Sequence, residues 1–302
     1  MNEERRGFLL GVAAYGMWGL FPLYWPLLEP AGAVEILAHR VSWSLVTMLA
    51  LTVALRRTPQ LRAIFRNRRV LTLLTVASVV IGLNWGGFIW GVNNDHVVEV
   101  SLGYFINPLV TVLLGVIVLG ERLRPLQWLA IGIAGFAVVG LTVDYGQPPW
   151  VAFLLAGSFG TYGLVKKKAG VGAVESLTFE TLMLTPIALG YIFWLYLVGS
   201  ANFGMNGALH AGLLAFTGAI TALPLICFGA AANRVSMTTI GLLQYLAPTL
   251  QFVLGLLVFH EVMTPVKWAG FALVWLALVI FTVEALHNRG RQLRLAAEAS
   301  AV

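Results

Sequence analysis

Two charged residues, Arg40 and Glu180, stand inside long apolar stretches of the sequence, and they are 140 positions apart. Ionisable groups within a membrane-spanning segment are costly and usually serve gating or proton movement. We therefore predict that Arg40 and Glu180 are gate residues, and that Glu180 is a candidate carboxylate for proton coupling. The alternative is that each side chain pairs locally or extends to the membrane interface, since both lie only ~10 Å into their segments at ~1.5 Å per residue.

Three further titratable residues near the ends of apolar segments are candidate gate or coupling residues: Glu35, His39 and Glu99. Glu35 begins its segment, where the helix dipole favours a carboxylate. His39 follows four residues later, so the two side chains can bond on one helix face, and an imidazole titrates near neutral pH. A structural role is the alternative for Glu35, and that of a hydrogen-bond donor is the alternative for His39. Glu99, at the start of the fourth run, is a weaker candidate.

The spacing of 140 residues also relates many other positions, so the chain contains an internal duplication. The matched pairs are Glu35 and Glu175, Asn93 and Asn233, Pro108 and Pro248, Gly115 and Gly255, Glu121 and Glu261, Pro125 and Pro265, and Trp128 and Trp268. Self-similarity at a fixed period indicates structural repeats. In an apolar chain it is typical of transporters that are built from two related halves.

Composition indicates the class of protein. Of the 302 residues 59% are hydrophobic and 11% are charged, and the mean hydropathy is +0.85, whereas soluble domains carry roughly 25% charged residues. This predicts an all-α, polytopic protein of the lipid bilayer, located in the cytoplasmic (inner) membrane. The pI of 9.7 does not indicate a nucleic-acid partner, because the basic residues lie in short loops between apolar runs. One cysteine, Cys227, and scattered histidines predict no metal site and no cofactor.

Ten apolar runs have the length of about 20 residues that crosses a bilayer core. Their approximate limits are 7–28, 33–55, 70–91, 98–119, 124–143, 149–165, 173–198, 208–232, 236–259 and 264–286. The first run is too long for the core of a signal peptide and has no small-residue cleavage site. We therefore interpret it as a retained span.

Positive charge is distributed unevenly between the loops. Every Lys and Arg except Arg40 and Lys267 falls on the side of the two termini, and the positive-inside rule makes that side cytoplasmic. Ten spans form two repeats of five, and because five is odd, the second repeat enters the membrane from the opposite side. The predicted units are a first five-helix repeat, 1–145, an inverted second repeat, 146–288, and a cytoplasmic tail, 289–302.

The matched prolines Pro108 and Pro248 fall in the middle of spans four and nine. A proline within a helix lacks an N–H and frees the carbonyl four residues earlier, here those of Tyr104 and Gln244. In a membrane a free carbonyl must face protein, water or ligand. Two interrupted helices at corresponding depths predict a midplane substrate site between them. The alternative is that the prolines only produce packing kinks.

Polar residues share the helix face of each of these prolines, at four positions before it and three positions after it. Aromatic residues of neighbouring spans could complete a pocket for a small, partly apolar solute. The predicted lining residues are Trp18, Asn84, Trp85, Trp90, Tyr104, Asn107, Pro108, Thr111, Tyr162, Gln244, Tyr245, Pro248 and Gln251. The alternative for the aromatic residues is packing or a position at the membrane interface.

Several segments resemble the EamA-type members of the drug/metabolite transporter superfamily, and the RarD-like group among them. The resemblance rests on segments 35–44, 88–94, 101–109, 119–122 and 244–249 and on Trp268. The Gly-Tyr-Phe-Ile-Asn-Pro stretch at 103–108 is the specific part, and the similarity extends over essentially the whole chain. It implies an exporter or exchanger of small metabolites with ten helices. Four-helix relatives use a carboxylate in their first helix, which the first span here lacks.

These observations predict a secondary transporter that moves a small-molecule substrate, such as an amino acid or a small aromatic compound, by alternating access. The sequence contains no Gly-x-x-x-x-Gly-Lys-Ser/Thr loop, so an ion or solute gradient would supply the energy. The alternatives are proton-coupled drug efflux, an integral-membrane enzyme, and an assembly factor without transport. The scattered histidines and the lack of a nucleophile elbow argue against an enzyme. Ten spans with an internal pseudo-dyad can form a complete pathway in a monomer.

Overall fold

A computed structural model describes residues 3–119, 123–145, 148–232, 234 and 243–299 of the chain. Asn233 and Glu121, from the matched pairs, lie outside these residues, and so does the side chain of the predicted lining residue Thr111. The α-helices in this part of the chain are α1 (Glu3–Gly19), α2 (Ala33–Ala54), α3 (Thr58–Arg66), α4 (Arg68–Asn93), α5 (Val97–Leu119), α6 (Pro125–Tyr145), α7 (Trp150–Ala169), α8 (Ala173–Leu197), α9 (Gly207–Ala232), α10 (Leu246–Leu257) and α11 (Pro265–Ala299).

Among the described residues, six helices contain stretches that are long and apolar enough to cross a membrane: α2, α4, α6, α8, α9 and α11. Helix α1 continues through a bend of 42° into the segment Phe21–Leu28, and this bent pair makes a seventh such stretch if it is taken as one span. Shorter apolar helical stretches occupy Val97–Val110 in α5 and the whole of α10. The polytopic α-helical membrane architecture predicted from composition is therefore confirmed.

Prolines cause the bend at the end of α1. The chain continues there in two short 3-10 helices, Phe21–Leu23 and Trp25–Leu28. Pro22 and Pro26 occupy their first turns, and neither residue has an N–H with which to extend the α-helical hydrogen bonds. The first predicted span, 7–28, is therefore a helix that changes direction before it ends.

A short helix, α3, occupies the segment after α2, where the sequence predicted only a basic loop. Leu61 and Ile64 are buried in a small cluster with Leu74 and Phe179, whereas Arg62 is exposed. The apolar spacing of three residues is the sequence signal for this amphipathic helix. The helix attaches the basic segment to α4 and α8.

Helix contacts follow the same order in the two halves of the chain. Helix α7 packs against α4 and α5, and α1 packs correspondingly against α9 and α10. Helix α2 packs against α9, and α8 packs against α4. Three further contacts join helices that the 140-residue spacing relates, α2 with α8, α5 with α10, and α6 with α11. If each helix is replaced by its equivalent in the other half, every contact of this set becomes another contact of the same set.

Helices α5 and α7 approach each other closely at Gly103. A Cβ added there would lie 2.9 Å from the carbonyl oxygen of Ala152 and 3.0 Å from its Cα. Small residues of this kind allow the backbones of membrane helices to pack directly. This contact brings the α5 residues that follow Gly103 close to the face of α7.

The two matched prolines occupy different places in their helices. Pro108 lies within α5, as predicted. Pro248 lies in the first turn of α10, where the missing N–H interrupts no helical hydrogen bond. The prediction that Pro248 lies in the middle of a helix is therefore wrong for α10. Gln244 lies in the turn that precedes this helix, so its carbonyl is not one that the proline frees from a helix.

Candidate functional site

Arg40 lies in an aromatic cage formed by the bent end of α1 together with α2 and α4. The residue is only 4% exposed. Its guanidinium carbon lies 4.2 Å from the ring centroid of Trp85, 5.0 Å from that of Trp25 and 5.8 Å from that of Phe21. At separations within about 6 Å the quadrupole of an aromatic ring attracts a cation. The cage therefore stabilises the positive charge through ring faces.

One hydrogen bond to the second half of the chain orients this guanidinium. Arg40 Nε donates to Thr221 Oγ1 in α9 at 3.1 Å, and the Thr221 hydroxyl donates to the Thr217 carbonyl at 2.9 Å. Among the residues that the structure describes, no carboxylate forms an ion pair with Arg40. The cage thus holds a cation without a protein counter-ion in this part of the chain.

A hydrogen-bond network lies beside the cage. Tyr104 OH donates to Asn84 Oδ1 at 3.3 Å, while Asn84 Nδ2 donates to Ser158 Oγ at 3.0 Å and to a carbonyl of α7 at 3.1 Å. Tyr104 is close enough to Arg40 for the two groups to interact electrostatically. We refer to the set as the Arg40 cluster, whose members are Phe21, Trp25, Arg40, Asn84, Trp85, Tyr104 and Thr221.

The Arg40 cluster unites residues to which the sequence assigned different roles. Asn84, Trp85 and Tyr104 were predicted to line a substrate site, whereas Arg40 was predicted to be a gate residue. Phe21 and Trp25 were not among the residues predicted for the site. Their position beside two prolines, at the end of the first span, is the signal that could have indicated a break in the helix with aromatic side chains around it.

Glu180, at the position that matches Arg40, has a different environment. It is 0% exposed, and its Oε1 accepts a hydrogen bond from Ser176 Oγ and lies 3.3 Å from Lys166 Nζ. Its Oε2 accepts a hydrogen bond from Tyr162 OH at 2.9 Å, and Lys166 Nζ donates to the same hydroxyl at 2.7 Å. Tyr162, a predicted lining residue, therefore belongs to this network of Glu180, which neutralises its charge locally.

Gln251 in α10 connects to the bent helix α1. Its Nε2 donates to the Trp18 carbonyl at 3.2 Å, the carbonyl that Pro22 leaves free because proline has no N–H. Gln251 is buried, and its Oε1 has no partner among the described residues. A proline does free a backbone carbonyl where the two halves meet, but the carbonyl belongs to α1 and not to span nine.

The remaining predicted residues of α5 and α10 are dispersed. Asn107 has a buried Oδ1 without a partner in the part of the chain that the structure describes. Tyr245 OH lies 3.5 Å from Thr282 Oγ1, and its ring lines an apolar groove with Trp275 of α11. Tyr245 therefore faces α11, whereas Tyr104 faces the Arg40 cluster.

Trp90 and Glu99 lie where α4 ends and where α5 and α7 begin. The Trp90 ring lies 5.2 Å from the His96 ring and 4.7 Å from the Trp150 ring, centroid to centroid. Glu99 Oε1 accepts a hydrogen bond from the Val151 N–H at 2.8 Å, and its Oε2 lies 3.3 Å from His96 Nδ1. These contacts stabilise helix ends, and they separate both residues from the Arg40 cluster.

Glu35 and His39 bind the loop that precedes α9. Glu35 accepts hydrogen bonds from the backbone N–H and from Nδ2 of Asn202, both at 2.7 Å. The His39 ring stacks on Phe203 at 4.8 Å, and its Nε2 has no partner among the described residues. Glu35 therefore bonds Asn202 and not His39, because the loop presents two donors to the carboxylate at once.

Three further acidic residues, Glu3, Glu175 and Glu284, form ion pairs. No group of three His, Cys, Asp or Glu side chains in the described part of the chain is placed to hold a metal ion. Arg57 lies 3.5 Å from Glu175, Arg124 lies 2.6 Å from Glu284, and Arg234 lies 2.9 Å from Glu3. These pairs attach basic segments to helices.

Comparison with known proteins agrees with this architecture. Residues 5–143 match the EamA-like transporter family. A protein named RarD from Streptomyces exfoliatus is 56% identical over 300 residues, which cover 99% of this chain and 95% of the relative. An uncharacterized transporter of Vibrio cholerae is 43% identical over 285 residues, 94% of either chain.

A solved crystal structure shows the same fold. It superposes with a TM-score of 0.59 at 17% identity, over 92% of this chain and 98% of the other. The apolar helices and these relatives identify a multi-pass protein of the bacterial inner membrane. The chain belongs to the EamA-type drug/metabolite transporter superfamily, within its RarD-like group.

Proposed function

We propose that the protein is a secondary transporter that exports or exchanges small metabolites, such as amino acids or small aromatic compounds. The observation that carries this proposal is a pair of unpartnered acceptors on facing helices. Asn107 Oδ1 in α5 and Gln251 Oε1 in α10 are buried and have no partner among the described residues. Buried acceptors are almost always satisfied, so each of these two acceptors is available for a hydrogen bond from a ligand or from water.

The proposed transporter has ten spans arranged as two inverted repeats of five. Helices α1, α5, α7 and α10 would then span the membrane in addition to the six long apolar helices. Helix α7, with 20 residues, is ~30 Å long at ~1.5 Å per residue, which matches a bilayer core. Equivalent helices of the two halves make equivalent contacts. This supports the arrangement, since inverted repeats are related by a two-fold axis in the membrane plane.

Alternating access is the proposed mechanism, with the two matched charges at opposite gates. With both termini cytoplasmic, as the positive-inside rule predicts, Arg40 lies toward the outside and Glu180 toward the cytoplasm. The halves would close alternately on the space between α5 and α10, with Arg40 and Glu180 at opposite gates.

Reconstitution in liposomes tests this transport. Vesicles are loaded with a pool of labelled amino acids and small aromatic metabolites, and efflux is followed with and without a pH gradient. Selective efflux would support the proposal, and acceleration by the gradient would add proton coupling. Vesicles that retain every solute of the pool as protein-free vesicles do would contradict it.

Two variants test the pathway between α5 and α10. Asn107→Leu and Gln251→Met each remove one of the two unpartnered amide oxygens. We expect efflux to fall about fivefold or more in each, the equivalent of one hydrogen bond. Gly157→Ala is the control, because a Cβ at this position meets nothing within 4 Å. Unchanged efflux in both variants would show that the solute does not pass between α5 and α10.

A further inference from the structure

Arg40 is 4% exposed, and the terminal nitrogens of its guanidinium have no hydrogen-bond acceptor among the described residues. Only Nε is bonded, to Thr221, and Arg40 has no further contact of this kind in that part of the chain. Burying a charge without a partner is costly. Proteins usually provide the missing partner, so its absence here requires a physical reason.

The aromatic rings compensate only part of this cost. Trp85, Trp25 and Phe21 interact with the cation through their faces. The N–H groups of a guanidinium lie in its plane and need acceptors in that plane. A carboxylate supplies two such acceptors in a parallel fork. The terminal nitrogens of Arg40 therefore lack in-plane acceptors, which a small planar anion would supply.

The matched position in the second half shows how this protein treats a buried charge that needs no ligand. Glu180 is also buried, but it has Lys166 at 3.3 Å, together with hydrogen bonds from Tyr162 and Ser176. The chain thus neutralises the carboxylate internally and leaves Arg40 with aromatic faces. This difference between equivalent sites singles out Arg40 as a site for an external charge.

We propose that the Arg40 cluster binds the carboxylate of the transported solute, so that the substrates are carboxylate-bearing compounds. This rests on the proposed transport function and specifies its substrate class. The rings of Trp85, Trp25 and Phe21 provide an apolar wall for the body of the solute beside its charge. Tyr104 and Asn84 provide polar atoms on the side toward α7.

Both halves of the chain contribute residues to this site. Binding of a solute there would therefore depend on how the two halves are arranged. Thr221 belongs to α9 of the second half, whereas the aromatic residues belong to α1 and α4. Phe21 and Trp25 lie on the short 3-10 segments beyond the 42° bend of α1. Movement of this segment is what would open the cage to a solute, since Arg40 is otherwise covered.

Matched pairs of acids and amides test the proposal. The purified full-length protein in detergent is titrated with acetate, benzoate and phenylalanine, and separately with acetamide, benzamide and phenylalaninamide. The midpoint of thermal unfolding, followed by tryptophan fluorescence, gives the apparent affinity, because a ligand that binds the folded state raises the midpoint. We expect at least one acid to bind about tenfold or more tightly than its amide, as charge-assisted hydrogen bonds predict.

Variants show whether this preference originates at Arg40. Arg40→Gln should abolish the preference for acids, and Arg40→Lys should weaken it about tenfold, because an ammonium group lacks the planar fork. Thr221→Val keeps the charge but removes the bond that orients it, and should also weaken binding. Arg62→Gln is the matched control, since it removes the same charge from the exposed face of α3.

Three results would overturn the proposal. One is a wild-type protein that prefers no acid over its amide in any of the three pairs. Another is an undiminished preference for acids in Arg40→Gln, or in both Arg40→Lys and Thr221→Val if Arg40→Gln does not fold. The third is stabilisation by sodium chloride that depends on Arg40 while no organic acid binds, since the site would then hold an inorganic anion.

Efflux measurements separate failure of this proposal from failure of the transport function. Liposomes are loaded with labelled phenylalanine or labelled phenylalaninamide. Efflux of the amide at the rate of the acid, unchanged in Arg40→Lys, would retain transport and reject the carboxylate site. Acid binding that depends on Arg40, without efflux of either compound, would retain the site and reject transport.

Discussion

Lys166 Nζ lies 3.3 Å from Glu180 Oε1, so a cation from the end of α7 is held against a carboxylate inside the helix bundle. Tyr162 lies between them in the network, because it accepts a hydrogen bond from Lys166 and donates one to Glu180. A single ion pair therefore connects the end of α7 to the interior of α8. Because Lys166 can be changed while the carboxylate of Glu180 is kept, a role of Glu180 in stability can be tested separately from a role in proton coupling.

Glu180→Gln should destabilise the protein, because Lys166 and Tyr162 lose a charged partner. We expect a cost of about 1.5–3 kcal/mol, typical of a hydrogen bond to a charged group, since the Lys166 side chain is still 22% exposed. Lys166→Met together with Glu180→Gln should cost less than the sum of the single changes. Thermal unfolding of the four proteins in detergent gives this coupling, and strict additivity would contradict it.

The same Glu180→Gln protein tests proton coupling in liposomes. If Glu180 couples transport to protons, efflux of a verified substrate should no longer respond to a pH gradient, while efflux without a gradient persists. Lys166→Met serves as the comparison, because it disrupts the same network and retains the carboxylate. An unaltered response to the gradient in Glu180→Gln would assign the residue to structure alone.

Gly103→Ala should destabilise the contact between α5 and α7. The added methyl group would lie 2.9 Å from a backbone oxygen of Ala152, and backbone atoms cannot move aside as a flexible side chain can. We expect a loss of about 1–3 kcal/mol, typical of overpacking. Gly157→Ala, where a Cβ meets nothing within 4 Å, should be neutral or stabilising. Equal melting temperatures of the two variants in detergent would contradict the tight contact.

Gln251 and Pro22 should be coupled energetically through the Trp18 carbonyl. Gln251→Leu removes the donor at 3.2 Å and leaves this buried acceptor without a partner, at a cost of about 1–3 kcal/mol. Pro22→Ala restores a backbone N–H that can bond the same carbonyl. Gln251→Leu should therefore cost less in the Pro22→Ala background. Thermal unfolding measures this, and equal costs in both backgrounds would show that the carbonyl has another partner.

Glu261 should make stability depend on pH. Its two carboxylate oxygens accept hydrogen bonds from the Val98 N–H at 3.1 and 3.2 Å, at the start of α5. Burial raises the pKa of Glu261 from 4.5 to about 7, against the lowering effect of the Val98 and Val97 N–H groups and of Lys267, and Asp95 adds to the rise.

The sign of this effect follows from proton binding. Between pH 4.5 and about 7 the folded protein retains a proton on Glu261 that the unfolded chain has lost, so stability falls as pH rises and then levels off. Glu261→Gln cannot ionise and should show a smaller decline over this range. Unfolding midpoints in detergent at a series of pH values from 5 to 8 measure it. A decline of the same size in both proteins would exclude Glu261 as its source.

Some local features were predictable from the sequence, and others were obscured by a stronger signal. Six of the ten apolar runs predicted helices that are long and apolar enough to cross a membrane. They were predictable because a bilayer core has no water, so backbone N–H and C=O groups must hydrogen-bond within each segment. Lys166 was assigned to a loop by the positive-inside rule, which does not register that a long side chain can turn back to a carboxylate. The expected kink at Pro248 was wrong, because a proline in a first turn and one in mid-helix look alike in sequence.

By itself the sequence determined the class of the protein and its membrane location, because composition is a property of the chain alone. Its motifs also carried the resemblance to the family that the comparisons then showed. Only the tertiary structure decided which side chains meet. Arg40 bonds Thr221 across 181 positions, and Gln251 bonds the Trp18 carbonyl across 233. Such pairings depend on how each helix is rotated and tilted against its neighbours. Helical periodicity defines the faces of a helix, but it does not specify which partner each face meets.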